Sequence, residues 1–200
     1  MREIVLPVPE EEVRALRVGE RFVLTGRLFT ARDAGHARIV RDLDRGHALP
    51  FAPVPDTVYH CGPLVERSGD GWRVLSAGPT SSVRLEPFAP RLVRDLGLRI
   101  LIGKGGMGEG TREALRERGA IYAHATGGAG ALAARGIERV ESVFWLEEFG
   151  MPEAVWILRV CRFGPLLVAI DSHGGSLYEE AARSTDTTRQ AILSRIEEER

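Results

Sequence analysis

The sequence predicts a mixed α/β domain with a partly parallel sheet, and three observations lead there. The N-terminal half is rich in short strands and turns, whereas the C-terminal half alternates strand and helix, the order that makes parallel pairs through helical crossovers. An apolar strand running into a glycine-rich turn and then a helix recurs, most clearly over residues 99–118. Of the 200 residues, 44% are hydrophobic and 28% charged, a balance that buries a core and argues against disorder. No internal repeat or low-complexity linker divides the chain, so residues 1–200 are expected to form one domain.

Taken in order, residues 10–17 read as a short helix and 21–27 as a strand. Thr30 is positioned to cap a helix over 31–43, with Asp33 in its first turn. A proline-rich loop follows, then a short strand over 57–61 that stops at Gly62-Pro63. Ser68-Gly-Asp-Gly71 is a turn that makes a hairpin of its flanks, with 72–76 as the second strand. Residues 91–97 are expected to be helical, 99–102 a buried strand, and 111–118 a helix stopped by Gly119. Strands follow at 121–125 and 140–145, separated by a small-residue helix over 127–135. Residues 154–160 and 166–170 read as two further strands, and the tail from Thr187 as a charged helix, with about 184–200 set apart from the rest.

Charge and composition exclude several classes. The 27 basic and 28 acidic residues give a net charge of −1, too balanced for a polybasic nucleic-acid binder. No stretch approaches the roughly 20 apolar residues of a membrane helix, and the N-terminus lacks the apolar core of a signal peptide. The expectation is a soluble cytoplasmic protein. Cys61 and Cys161 cannot make a disulfide framework, and the five histidines show no metal-ligand spacing. No G-x-S-x-G or Cys-His arrangement suggests a covalent nucleophile.

Of the 27 basic residues, 26 are arginine; Lys104 is the only lysine, and asparagine is absent. A thermophile and a GC-rich genome both produce this bias. On a solvated surface Lys and Arg interchange, but at a tight site a compact ammonium and a wide planar fork do not. A lone lysine is therefore a candidate for a place where the fork does not fit. Lys104 lies in Gly103-Lys-Gly-Gly-Met-Gly108, which satisfies G-x-G-x-x-G between a strand and a helix. The next strand ends in Ala125-Thr126-Gly127 with no acidic residue for a ribose, and Lys104 is not followed by Ser or Thr as in a P-loop. What remains is an anion site made of turn N–H groups, a helix N-terminus and one charge, centred on Gly103, Lys104 and Gly105.

Other strand ends carry related chemistry. Gly78-Pro79 is followed by three hydroxyls, Thr80, Ser81 and Ser82, and then Arg84, an oxyanion-binding combination. Arg32 and His36 share a helical face, with Asp33 pointing elsewhere. Asp171 ends an apolar strand two residues before His173, which suits either catalysis or a turn cap.

The ordered set Thr30-Ala-Arg-Asp-Ala-Gly-His36, Tyr59-His-Cys-Gly-Pro63, Ser76-Ala-Gly-Pro-Thr-Ser-Ser-Val-Arg84, Ile102-Gly-Lys-Gly105, Gly127-Gly128, Pro152-Glu-Ala-Val-Trp156 and Asp171-Ser-His-Gly174 resembles the β subunit of the iron–sulfur hydro-lyases, class I fumarate hydratase and L(+)-tartrate dehydratase. The likeness covers about residues 18–178. It implies a swivelling β/β/α fold and a four-iron–four-sulfur cluster ligated by the α subunit, not by this chain, with an open iron that binds substrate as a Lewis acid. It further implies a small dicarboxylate substrate and an α–β heterotetramer. By motif position it assigns Arg32, Arg84 and Lys104 to the substrate carboxylates and Thr80 to the catalytic base. Asp33, His36, Ser81, Gly103, Gly105 and Asp171 are the supporting candidates. The family often has a second threonine where this chain has Ser81, and Met where it has Leu85. The expected reaction is hydration of fumarate to L-malate by an assembly in which this chain alone is inactive. Alternatives are dehydration of tartrate to oxaloacetate and a stand-alone anion or nucleotide binder.

Overall fold

The computed structural model describes residues 1–182, 185, 186 and 189; apart from Arg189, the helix expected from Thr187 lies outside the described residues. In chain order the elements are β1 (Arg2–Val5), α1 (Glu10–Arg14), β2 (Arg21–Thr30), α2 (Asp33–Asp44), β3 (Thr57–Tyr59), β4 (Leu64–Ser68), β5 (Gly71–Ser76), a 3-10 turn (Ser82–Leu85), α3 (Ala89–Leu96), β6 (Ile100–Gly103), α4 (Glu109–Arg118), β7 (Ile121–His124), α5 (Gly130–Ala134), β8 (Ile137–Phe144), α6 (Leu146–Phe149) and β9 (Val155–Ile170).

The sheet is mixed. Its order is β1-β2-β3-β6-β7-β9-β8, with the first five strands parallel and β9 antiparallel to its neighbours. Strand β9 also pairs with β2, from Arg21↔Leu167 to Thr30↔Trp156, so β2-β3-β6-β7-β9 closes on itself. Alternation then sorts side chains between two cores. Ile100 and Ile102 of β6 enter the cluster enclosed by the strands, with Phe22, Tyr59 and Trp156. Leu101 points the other way, into the cluster under α2, α3 and α4, with Ile39, Leu92 and Leu115. The β4–β5 hairpin covers the strand side, where Trp72 stands edge-on to Trp156 at 5.3 Å.

Two expectations need correction. Residues 154–160 and 166–170 are not separate strands but one, β9. The chain passes Gly164 and Pro165 through a bend with Arg162 at φ 49° and Gly164 at φ 146°. Pairing with β2 on both sides of the bend, Leu24↔Phe163 before it and Phe22↔Leu166 after it, keeps β9 a strand across the breakers. Thr30 is not a cap; it is the buried end of β2, and its Oγ1 accepts the Trp156 N–H at 3.3 Å. The cap of α2 comes from Glu153, whose Oε2 accepts the Ala34 N–H at 2.9 Å. Gly119 stops α4 in the left-handed conformation, as its position predicted, and Gly97, expected as the last helical residue, stops α3 in the same way.

Candidate active site

The parallel strands β2, β3, β6 and β7 end at one edge, and main-chain hydrogen bonds extend the sheet past those ends. Ala31 N–H donates to Tyr59 O (3.1 Å), His60 N–H to Ile102 O (2.8 Å), and Ala125 N–H to Gly103 O (2.8 Å). The segment after β5 wedges into this rim: Thr80 N–H donates to His60 O (2.7 Å), Lys104 N–H to Thr80 O (3.3 Å), and Ser82 N–H to Lys104 O (2.9 Å). Thr80, Ser81 and Lys104 are therefore neighbours although 24 residues separate Thr80 from Lys104.

The cations gather on this edge. Arg84 pairs with Asp33, both about half exposed, which joins the hydroxyl segment to the start of α2. An exposed pair of this kind is worth about 0–1 kcal/mol, so an incoming carboxylate can replace Asp33 at small cost. Arg32, at the N-cap of α2, lies 3.2 Å from Glu153 Oε1 without an aligned hydrogen bond from its buried Nε. Gly62 leaves it room: a Cβ there would stand 2.8 Å from the Arg32 Cδ and 2.3 Å from Pro152 O. Lys104 is half-buried and passes Gly127, where a Cβ would meet its Cδ at 3.6 Å. It makes no ion pair among the described residues.

Each glycine of the G-x-G-x-x-G string has its own local reason. A Cβ on Gly103 would lie 1.9 Å from Ser82 Oγ, Gly105 has φ +72°, and a Cβ on Gly108 would strike the Glu86 carboxyl at 2.6 Å. That carboxylate occupies the N-terminus of α4, accepting from Gly108 N–H (2.7 Å), Thr111 N–H (3.0 Å) and the Thr111 hydroxyl (2.6 Å). The anion expected at this helix end is thus the chain's own Glu86, which corrects the sequence reading and removes the cradle a pyrophosphate would need. Behind the loop, Tyr122 Oη donates to Gly105 O at 2.8 Å, and the Tyr178 ring packs on Gly106.

His36 and His60 lie beneath the rim, fully buried, with ring centroids 5.2 Å apart. Burial lowers the His36 pKa to about 4, and burial followed by the neighbouring His36 holds His60 well below its ordinary value. Both are shut away from solvent, and the His36 Nδ1 meets Arg32 O at 2.8 Å. Asp171 is elsewhere. It follows the C-terminus of the antiparallel β9, at the opposite edge, where its carboxylate accepts from Val18, His173 and Gly175 N–H groups. It is a turn cap. The roles of Glu153, Glu86 and His60 were not legible, since no spacing marks a cap or a buried partner supplied from a distant segment, and Ser82, read as one of three oxyanion-binding hydroxyls, is instead buried against His60.

The profile of the family described as Fumarase C-terminus matches residues 2–181. The chain belongs to this family. An Escherichia coli K12 protein named L(+)-tartrate dehydratase subunit beta is 37% identical over 193 residues, covering 96% of this chain and 94% of its own. A Methanocaldococcus jannaschii protein, a candidate for the same subunit by name, is 40% identical over 171 residues, 86% of this chain and 88% of its own. A Geobacillus stearothermophilus protein, named as a candidate class I fumarate hydratase, is 42% identical over 180 residues, 90% of this chain and 34% of its own.

Within this Fumarase C-terminus domain the donor set does not fit an iron–sulfur cluster. Cys61 is packed in the strand-side core, its thiol pushed up to about 12 by burial, and Cys161 is exposed on β9. Among the described residues no three His, Cys, Asp or Glu side chains converge as metal ligands. No helix among them is long and apolar enough to cross a membrane.

Proposed function

We propose that the chain is the β subunit of an iron–sulfur hydro-lyase that reversibly hydrates fumarate to L-malate. The single observation that carries this reading is the gathering of Arg32, Arg84 and Lys104 on three segments tied together at one sheet edge. Two planar guanidiniums and a compact ammonium suit a substrate with two carboxylates. The cluster, with its Lewis-acid chemistry, belongs to an α subunit, and the expected assembly is an α–β heterotetramer. A swivelling β/β/α domain is the matching fold, supported by closed strands with helices on one face.

The residues of this chain divide the work as follows. Arg84 exchanges Asp33 for a substrate carboxylate, and Arg32 holds the other. Removing a proton from the carbon beside a carboxylate sends negative charge onto that carboxylate, and Lys104 meets it as it develops. Thr80 is the base: its N–H and C=O are both committed to the rim, which holds its main chain against the Lys104 segment. A hydroxyl acts as a base only when its own proton is held elsewhere.

A second reading, dehydration of L-tartrate to oxaloacetate, is favoured by the relative of that name, which matches over 94% of its own length. Co-expression with an α chain, anaerobic cluster reconstitution and assay on fumarate, L-malate and L-tartrate separates the two. Thr80→Ala is expected to lower kcat by about 10²-fold or more; near-normal turnover rejects Thr80 as base. Turnover by the isolated chain rejects the subunit reading.

A further inference from the structure

We infer that His60 and Ser82 are positioning residues: they lock the Thr80–Arg84 segment onto the Gly103–Lys104 segment and, through His36, tie both to Arg32. The inference rests on the proposed carboxylate site and names what holds it in register.

Both side chains are fully buried and neither faces the open edge. The Ser82 hydroxyl and His60 Nδ1 are hydrogen-bonded at 2.9 Å. The same hydroxyl fills the space where Gly103 would carry a Cβ, 1.9 Å away, and His60 Nδ1 is 3.1 Å from that point. Ser82 thus touches the residue before Lys104 through its side chain and Lys104 itself through its N–H (2.9 Å). The main chain of His60 lies between, receiving Thr80 N–H and donating to Ile102 O. On the other side, the His36 main-chain N–H and Nδ1 both meet Arg32 O at 2.8 Å. A carbonyl only accepts, so the His36 ring proton is on Nδ1 and its Nε2 carries a lone pair.

The Nε2 atoms of both rings have no partner among the described residues. A half-satisfied buried imidazole costs stability that an apolar side chain would not. The two rings meet edge to face at 5.2 Å, and each Nδ1 holds a group of a different segment, Arg32 O for His36 and the Ser82 hydroxyl for His60. Burial keeps both rings neutral, so they set positions without adding charge beneath the arginines.

The test uses Ser82→Ala, Gly103→Ala and the double variant in the α-containing enzyme, with amide hydrogen exchange on the full chain. Ser82→Ala should speed exchange about tenfold over residues 80–84 and 103–105 while leaving β6 and β7 protected. It should lower kcat about tenfold or more with KM within about threefold, since misplaced groups lose more in the transition state than in binding. Gly103→Ala should be worse, and adding Ser82→Ala should restore part of the loss by removing the colliding hydroxyl. Unchanged exchange at these segments, kcat within about twofold of wild type, or no restoration in the double variant overturns the inference. If the assembled enzyme turns over neither fumarate nor tartrate, the functional reading falls. The exchange data then decide the coupling alone: local loosening upholds it and unchanged protection overturns it.

Discussion

Two strand ends look alike in this chain and do opposite things. Ile170-Asp-Ser-His-Gly and Ile102-Gly-Lys-Gly each leave a buried apolar strand through small and polar residues. After β9, both carboxylate oxygens of Asp171 are engaged at home, by N–H groups of Val18, His173 and Gly175 at 2.9–3.2 Å. After β6, the chain meets the ends of three other parallel strands and a wedge from the hairpin, and among the described residues its lysine makes no ion pair. Strand direction makes the difference. Parallel strands bring their C-terminal loops to one edge, where a ligand can be held from several sides, whereas the antiparallel β9 delivers its loop to the other edge alone.

The comparison breaks most readily at Lys104. Lys104→Arg should lower kcat/KM of the assembled enzyme by about 10²-fold or more, the typical loss of one charge-stabilising donor, with an unchanged melting temperature. Steady-state assays and thermal melts check this; full activity would make the lone lysine a coincidence. Asp171→Ala should do the reverse. Losing an acceptor for three N–H groups should cost about 2 kcal/mol of stability, read by denaturant unfolding, with kcat/KM of the folded enzyme within about twofold. A well-folded Asp171→Ala protein without turnover would move the site to that end.

Acid should loosen the rim from below. His36 titrates near 4 when folded and near its ordinary 6.5 when unfolded, so between these values the unfolded chain binds the extra proton. Stability is therefore full above about pH 6.5 and falls as pH drops toward about 4, by up to about 1.4 kcal/mol per unit for this group. His60, lowered in the same direction, steepens the fall. Unfolding free energies at pH 7, 6 and 5 check it, and His36→Gln should flatten the slope. The smallest effect is expected at Glu86. Glu86→Gln keeps one acceptor for the N-terminus of α4 and should cost about 1 kcal/mol, measured as a shift in the unfolding midpoint.

Much of the fold was legible because it is local. The apolar stretch at 99–102, the hairpin turn at 68–71 and the glycine stop at Gly119 depend on neighbours within a few residues. The site was legible in part. Arg32, Thr80, Arg84 and Lys104 stood out by type and motif, and the rim unites the segments that carry them. Asp171 stood out for the same kind of reason and is a turn. Residue type announces chemistry, but not whether a side chain has already spent it.

By itself the sequence determined the alternation that builds the strands, the balance of charge, and the one position where lysine survives among arginines. Only the tertiary structure decided which loops meet. Glu153 replaces Thr30 as the cap of α2 from 119 residues away, and Glu86 fills a helix end that read as an open anion site. Ser82 and His60 close a gap that Gly103 leaves. The physical reason is range. A helical turn or a hairpin is fixed by groups a few residues apart, whereas a cap, an ion pair or a filled cavity is fixed by whichever distant group the closed sheet brings there.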